Sequence, residues 1–200
     1  MTPTPGHDAA AEQDEPSWAH ASGWAQLSGA RQTVSCVVPC LNQARTLAKL
    51  LPILSDTLTE CGYPWELLTV DRGSSDETAA LLAAWAELPG FRRLHTRGSA
   101  SAPVGFETGL LAARGDAVIL FDPAVLHSPE LIPRMVLLWE ADAMLVHAQR
   151  DPAGGASELR HWDEAETRRR VAQPGFVLPA QCLELGLLDH RLVDRLLPPG

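Results

Sequence analysis

Two hydrophobic patterns alternate along the chain from about residue 34 onward. Short apolar runs, typical of strands buried on both faces, occur at 34–39, 67–70, 117–121 and 143–146, and a weaker one covers 91–95. Between them, apolar residues recur at spacings of three and four, which predict amphipathic helices. This alternation predicts an α/β domain with right-handed crossovers and a mostly parallel central sheet.

The first helices carry signals for where they begin and bend. Leu47–Leu58 has one apolar face, and Pro52 should either kink that helix or mark its first turn. Ser74 and Glu77 have the spacing of a capping box ahead of an apolar stripe over 81–88. These segments are therefore expected to cross between neighbouring strands.

Two further helices follow in the middle of the chain. One is expected over 104–114, with Gly115 as its C-terminal stop. The other has its core face over 131–139, and Ser128 and Pro129 fit its N-cap and first position.

The two ends of the chain are less regular than the middle. Residues 1–32 are rich in small, polar and acidic residues without a period, so a disordered low-complexity tail is expected before a domain over 33–200. Near the C-terminus, the pattern predicts a polar, charged helix over 157–171 and an amphipathic helix over 187–197.

Composition and charge narrow the classes of protein. Hydrophobic residues make up 46% of the chain, as in a globular domain, and the formal net charge is −9. The acidic balance argues against a nucleic-acid-binding role and against simple adhesion to anionic lipid. The sequence has no apolar stretch long enough to span a bilayer and no visible secretory signal, so a cytoplasmic location is expected. Peripheral contact with a membrane stays open.

The four cysteines have no metal-site spacing. Cys36 and Cys40 would lie on one strand, roughly 13 Å apart, which is too far for a disulfide. Free buried thiols are therefore expected, and a cysteine-based zinc site is not.

Polar residues cluster where the predicted strands end. In open α/β sheets, ligands bind beyond the carboxyl ends of the strands. Asn42 and Gln43 follow the first strand, and Asp71 and Asp122 each end another. Such carboxylates can bind a nucleobase, a ribose or a divalent cation, or they can simply cap the next turn.

Several common site motifs are missing from the sequence. There is no GxGxxG after the first strand and no GxxxxGK[ST], which argues against dinucleotide-binding and P-loop proteins. A GxSxG nucleophile elbow is also absent, so the usual hydrolase on such a sheet is not expected.

Four segments in order resemble one known family. They are VSCVVPCLNQARTL, ELLTVDRGSSDETAALL, ARGDAVILFDPAVLHSPELIPRMV and GLLDHRLVDRLL. The chain resembles the family 2 glycosyltransferases of the polyprenyl-phosphate sugar synthase type, over about 33–150 and 183–197. The resemblance implies a GT-A fold, which is a single Rossmann-like domain of the nucleotide-diphospho-sugar transferases. It also implies transfer of a sugar from a nucleotide sugar to an acceptor such as a lipid phosphate or a glycan.

The resemblance also assigns roles to residues. It implies a nucleotide pocket shaped by Pro39, Asn42, Gln43, Asp71, Gly73 and Ser74. Asp122 is expected beside the diphosphate, where the family's D-x-D motif holds Mg²⁺ or Mn²⁺. Glu184 falls where the family has an acidic residue near the acceptor, so it is a candidate general base, although a solvated loop glutamate is equally consistent.

The chain departs from the family pattern at several of these positions. Gln43 replaces a glutamate, Arg72 replaces the second aspartate of D-D-G-S, Ala124 replaces the second aspartate of D-x-D, and Gly186 replaces a late arginine. The metal site is therefore eroded. Arg72 or Arg150 could supply positive charge toward a diphosphate instead.

The sequence alone is consistent with two functions. One is an active glycosyltransferase, and the alternative is a catalytically inactive glycosyltransferase-like module with a binding or regulatory role. Arg168–Arg170 could attract an anionic acceptor, but acidic neighbours favour a solvated, charged helix face there.

Overall fold

The computed structural model describes residues 32–96, 100–125, 128–150 and 156–197. The predicted tail, residues 1–32, lies outside the described residues except for Gln32. The strands are β1 (Val34–Cys40), β2 (Trp65–Asp71), β3 (Phe91–His95), β4 (Ala117–Phe121), β5 (Leu145–Gln149), β6 (Glu158–Trp162) and β7 (Leu185–Asp189). The helices are α1 (Ala44–Glu60), α2 (Thr78–Trp85), α3 (Ala102–Ala112), α4 (Ile132–Glu140), α5 (Glu164–Val171), α6 (Ala180–Glu184) and α7 (His190–Leu196), with a short 3₁₀ turn at Pro129–Leu131.

The described strands form one seven-stranded sheet in the order β3-β2-β1-β4-β7-β5-β6. β1 pairs in parallel with β2 and β4, and β2 pairs in parallel with β3. β7 is antiparallel to both β4 and β5, and β6 is antiparallel to β5. Strands β1 to β5 therefore all point the same way, which confirms the expected α/β class, and β6 and β7 make the sheet mixed.

Helices cover both faces of this sheet, and that is why the central strands are continuous apolar runs. On one face α1, α2 and α4 bury Leu47, Leu82 and Met135 against alternate residues of the strands. On the other face α3, α6 and α7 bury a second cluster that includes Phe106 and Leu192. Every residue of β1 and β4 is buried.

Glycine allows one helix to lie unusually close to the sheet. A Cβ atom on Gly109 of α3 would lie 2.1 Å from Val37 Cγ1 of β1. Because α3 packs directly above β1, only a residue without a side chain fits at this point.

The structure decides between the alternatives for the early helices. Pro52 lies inside α1, which excludes the first turn and leaves the interior position. Ser74 and Glu77 do not form a capping box, because Ser74 Oγ accepts the Asn42 N–H at 3.0 Å and Glu77 makes no side-chain cap bond. Asp76 instead accepts the Thr78 N–H at 2.9 Å, and hydrogen bonds from Thr78 hold the pKa of the Asp76 carboxyl below its usual value.

Of the two helix boundaries predicted in the middle of the chain, one differs and one is confirmed. α3 ends at Ala112, and Gly115 is not its stop. Gly115 is needed for packing, because a Cβ there would lie 2.5 Å from the Ser35 backbone nitrogen. Ser128 does precede a turn that has proline at its start, as predicted, although the Ser128 hydroxyl donates to Glu130 rather than to the backbone.

In each of the two helices predicted near the C-terminus, the first part is a strand and only the second part is a helix. The segment 157–171 contains β6 before α5, and the segment 187–197 contains most of β7 before α7. β6 is polar and has no buried residue, which is typical of an edge strand, and this polarity concealed it. β7 is short and fully buried, and its apolar spacing suits a buried strand as well as a helix.

Two remaining expectations concern the cysteines and membrane-spanning helices. All four cysteines are free, which confirms that prediction, and Cys36, Cys40 and Cys182 are buried. Across the ranges that the structure describes, no helix is both long and apolar enough to cross a membrane.

Candidate functional site

The carboxyl ends of β1, β2, β4 and β5 meet at one edge of the sheet, which we call the rim. Because β7 is antiparallel to β4, with Phe121 opposite Leu185, the residue before β7 lies at the same edge. That residue is Glu184, and its backbone carbonyl accepts the Asp122 N–H at 2.9 Å. The topology thus brings two carboxylate residues together that are 62 positions apart in the sequence.

Asp71 organises the loop that follows β2. Its side chain is buried, and Oδ1 accepts the backbone N–H groups of Gly73 at 3.2 Å and Ser74 at 2.9 Å. Gly73 has φ +93°, a conformation that favours glycine. The Asp71 carboxylate therefore shapes this loop before any ligand arrives.

The loop after β1 is tied to the loop after β2. Asn42 has φ +53°, its N–H donates to Ser74 Oγ, and its Oδ1 accepts the Ser75 N–H at 2.8 Å. The next residue, Gln43, donates its N–H to Thr78 Oγ1 at 2.9 Å. The two loops therefore form one unit, which we call the paired loops.

The Arg72 side chain extends from the face of the sheet opposite the Asp71 side chain. Its Nη1 donates to the Ala100 carbonyl at 3.0 Å, and its Nε is buried without a hydrogen-bond partner in the described ranges. A Cβ on Gly105 would lie 2.9 Å from Arg72 Cδ and 2.8 Å from Pro39 Cβ. Pro39 and Arg72 therefore pack beneath the start of α3, on the other side of the sheet from the paired loops.

Asp122 occupies the turn after β4, and Ala124 closes that turn. Asp122 Oδ1 accepts the Ala124 N–H at 2.8 Å, so one carboxylate oxygen is engaged in holding the turn. In the described part of the chain, no three His, Cys, Asp or Glu residues are grouped so that they could hold a metal ion. Asp122 can act as one ligand to a cation that is otherwise held by substrate phosphates, because Mg²⁺ needs only one or two protein carboxylates.

Glu184 and Arg150 form an ion pair at the rim. Arg150 Nη2 lies 3.5 Å from Glu184 Oε2, and both side chains are partly exposed. Arg150 follows β5 and Glu184 ends α6, so the pair bridges two elements next to Asp122. The pair therefore places a positive and a negative group at the rim, next to Asp122.

Gly186 lies directly beneath α6. A Cβ at this position would come within 2.5 Å of the Cys182 carbonyl oxygen. A long side chain in place of Gly186 is therefore incompatible with α6 as it packs here. The close packing of α6 on β7 therefore requires that the arginine of the family pattern is absent from position 186.

The structure sorts the sequence-predicted residues into three groups. Asn42, Gln43, Asp71, Gly73 and Ser74 belong to the paired loops. Pro39 and Arg72 lie under α3, and Asp122, Glu184 and Arg150 lie together further along the rim.

Sequence reasoning missed three residues that hold this site in place. Ser75 and Thr78 fasten the paired loops, and Gly105 gives Arg72 its space. The signal for Gly105 was a glycine inside a helical pattern, which usually has a packing reason. Ser75 and Thr78 carry no comparable signal, because small hydroxyl residues are common in loops.

Solved structures share this architecture. The mannosyltransferase PcManGT from Pyrobaculum calidifontis, in complex with GDP-Man and Mn²⁺, superposes with a TM-score of 0.56 at 22% identity. The match covers 84% of this chain and 47% of that one. A mycobacterial protein of solved structure matches at TM-score 0.52 and 20% identity, over 87% of this chain and 56% of that one. The fold is therefore the GT-A fold, as the resemblance implied.

The family follows from the sequence match. The sequence model for glycosyl transferase family 2 matches residues 35–189, which include the whole rim. The chain belongs to glycosyl transferase family 2.

Curated relatives match part of the chain. The undecaprenyl-phosphate 4-deoxy-4-formamido-L-arabinose transferase of Serratia proteamaculans is 34% identical over 114 residues, covering 54% of this chain and 33% of that protein. The Pseudomonas aeruginosa protein of the same name is 36% identical over 110 residues, covering 52% and 31%. The matched region is about a third of the length of these curated relatives.

Proposed function

We propose that this domain binds a nucleotide sugar at the rim and transfers the sugar to the phosphate of a lipid acceptor. The observation that carries the proposal is the convergence of the paired loops, Asp122 and the Glu184–Arg150 pair on one edge of a family 2 sheet. The relatives named as undecaprenyl-phosphate sugar transferases support the acceptor class. Work on a membrane lipid would bring the protein to a membrane surface as a peripheral protein.

The nucleoside would bind against the paired loops and the start of α3. Asn42, Gln43, Asp71, Gly73 and Ser74 would frame one side, and Pro39 and Arg72 the other. The loops are already held by their own hydrogen bonds, so donor binding would cost little ordering of the backbone.

The diphosphate would lie near Asp122, with Arg150 as the nearby positive group. A Mg²⁺ or Mn²⁺ ion would be held by Asp122 and by the donor's own phosphate oxygens, and it would neutralise charge on the leaving nucleoside diphosphate. Asp122 is fixed by the Glu184 carbonyl, so the diphosphate side and the acceptor side of the rim share one backbone contact.

In the transfer, an acceptor oxygen attacks the anomeric carbon while the bond from that carbon to the diphosphate oxygen breaks. Inversion at the anomeric carbon is what the resemblance implies. A phosphate acceptor is already ionised and needs little help from a base, so Glu184 would chiefly hold Arg150. A hydroxyl acceptor on a glycan would instead need Glu184 as the general base.

The first test is donor binding by the full chain. Thermal unfolding is followed with UDP, GDP and dTDP, each with Mn²⁺ and with EDTA. A bound nucleotide stabilises the native state by RT ln(1 + [L]/Kd), about 2.7 kcal/mol at a hundredfold excess over Kd. We expect at least one nucleotide to raise the midpoint temperature of unfolding. Asp122→Asn should remove most of the increase that depends on Mn²⁺.

A matched control makes the result specific to the rim. Asp56→Asn makes the same chemical change at an exposed position far along α1, and it should keep the full nucleotide response. No response to any nucleotide in the unmodified chain would rule the proposal out.

A catalytically inactive binding module is the second candidate, and Ala124 is the observation that favours it. The D-x-D motif keeps one carboxylate, and one oxygen of that carboxylate is engaged by the Ala124 N–H. For such a module we expect nucleotide binding without sugar transfer to a polyprenyl phosphate across a panel of donors. Metal-dependent turnover that Asp122→Asn abolishes would exclude the module.

A further inference from the structure

The loop between α5 and α6 exposes apolar side chains to water. Val177 in this loop is 79% exposed, the highest value for a large apolar side chain in the described part of the chain. Its neighbours Phe176 and Leu178 are partly exposed. The sequence has no charged residue over 171–183, so no charge interrupts the apolar character of this surface. Contiguous exposed apolar area of this kind marks a contact surface.

A tight turn gives the loop a fixed conformation. The Phe176 N–H donates to the Gln173 carbonyl at 3.2 Å, which closes a β-turn with Pro174 and Gly175 in its central positions. Gly175 has φ +75°, as the third residue of a type II turn requires. The Phe176 ring also packs against Trp162, with ring centroids 6.3 Å apart. The exposed side chains of the loop therefore need little ordering when they meet a partner.

The charges of α5 are arranged with their basic end against the loop. Glu164 and Glu166 lie in the first turn of α5, and Arg168, Arg169 and Arg170 lie in its last turn, directly before the loop. Arg168 and Arg169 are each 72% exposed, and their surface ion pairs with Glu164 and Glu166 contribute little stability. Long arginine side chains can keep their guanidinium groups among lipid headgroups while an apolar neighbour lies deeper.

The order of these groups matches a lipid bilayer. An apolar loop next to exposed guanidinium groups corresponds to an apolar interior beneath a layer of headgroup phosphates. The loop also leads into α6, which ends at Glu184, and the Glu184 carbonyl accepts the Asp122 N–H. A membrane that contacts the loop would therefore bring its lipids close to the rim.

We propose that the loop 173–178 inserts the Val177 side chain into the surface of a phospholipid bilayer, with Arg168 and Arg169 among the headgroup phosphates. This inference rests on the proposed function, because a lipid acceptor requires the protein to work at a membrane. The contact is apolar and involves few side chains, so it is weak and reversible. It does not depend on attraction of the whole protein to anionic lipid, which the net charge of −9 disfavours.

The test is co-sedimentation of the full chain with phosphatidylcholine vesicles. We expect partitioning that Val177→Asp weakens by about tenfold, because apolar contact is lost and a carboxylate would have to leave water. Val177→Phe should strengthen the partitioning by about threefold through added apolar area. Leu111→Asp is the matched control, because it places the same charge at an apolar position that is 64% exposed on α3. It should bind vesicles as the unmodified chain does.

Thermal unfolding establishes that each variant is folded. No vesicle binding by the unmodified chain, or equal weakening in Val177→Asp and Leu111→Asp, would overturn the proposal. A dimer of the unmodified chain that Val177→Asp makes monomeric, without vesicle binding, would assign the loop to a second copy of the chain and would also overturn it.

The nucleotide response separates this inference from the proposed function. Val177→Asp should keep the full increase in midpoint temperature that nucleotide produces, because the loop does not belong to the donor site. Nucleotide binding without vesicle binding overturns only this inference. If no nucleotide binds, the proposed function is overturned as well.

Discussion

The centre of the sheet and its β6 edge differ in how completely they are covered. In the centre, around β1 and β4, helices lie on both faces and every strand residue is buried. At the open edge, β6 is the last strand of the sheet and has exposed positions, and cavities remain between it and α5 and α6. We call these two regions the covered centre and the open edge.

The difference extends to how the local structure is held. In the covered centre, α3 and β1 meet so closely that glycine is required, as at Gly109 against Val37. At the open edge, exposed ion pairs such as Arg160–Glu158 contribute little stability. We infer that the covered centre tolerates change poorly and that the open edge is where binding properties can vary.

The largest effect is expected from filling the closest contact in the covered centre. In Gly109→Val, the new side chain would overlap Val37 and push α3 away from β1. We expect a loss of about 3 kcal/mol or more in the free energy of unfolding, measured by urea denaturation. Leu111→Ala on the exposed side of α3 is the control and should cost less than about 0.5 kcal/mol. Similar losses in both variants would contradict the comparison.

A smaller effect is expected from a smaller change at a close contact next to the open edge. In Gly186→Ala, the added methyl group would meet the Cys182 carbonyl, and α6 must lift. Because α6 has only five residues and can move, we expect a loss of about 1–2 kcal/mol in the free energy of unfolding. Ala165→Ser at an exposed position on α5 should change the unfolding free energy by less than about 0.5 kcal/mol. A loss in Gly186→Ala as large as that in Gly109→Val would show that the open edge is at least as rigid as the covered centre.

The smallest effect is a dependence of the free energy of unfolding on pH, which comes from His147 of β5 beside the open edge. Burial lowers the pKa of His147 in the folded protein, so the unfolded chain takes up this proton first as the pH falls. The His147 contribution should be constant above pH about 6.5 and should decline as the pH falls from there toward 5. His147→Gln should remove this part of the decline in a series of urea titrations. The same slope in both proteins would exclude His147 as its source.

The sequence predicted the covered centre better than the open edge, for a physical reason. Strands buried on both faces, such as β4, are apolar throughout and are distinct from the helices between them. β6 has Arg160 and His161 in its middle, which resembles a solvated helix, and β7 is identified only by its partners in the sheet.

The residues of the candidate site also differ in how well the sequence predicted them. Asp71 and Asp122 were found because they end buried strands, and the structure places both at the rim. The Arg170 guanidinium was expected on a solvated face, but it stacks on Trp162, which comes from a strand that the sequence pattern did not predict. Long-range pairing such as that between Asp122 and Glu184 has no local signal at all.

The buried thiols have a practical consequence for labelling. Burial raises the pKa of Cys40 and Cys182 to about 12 and that of Cys61 to about 11, and it also raises the pKa of Cys36. Alkylating reagents attack thiolates, and almost none are present at neutral pH. A cysteine introduced at the exposed position of Val177 would therefore react with a maleimide dye faster than the native cysteines, of which Cys36, Cys40 and Cys182 are buried and Cys61 is partly exposed. A fluorescent reporter at Val177 then needs at most the replacement of Cys61.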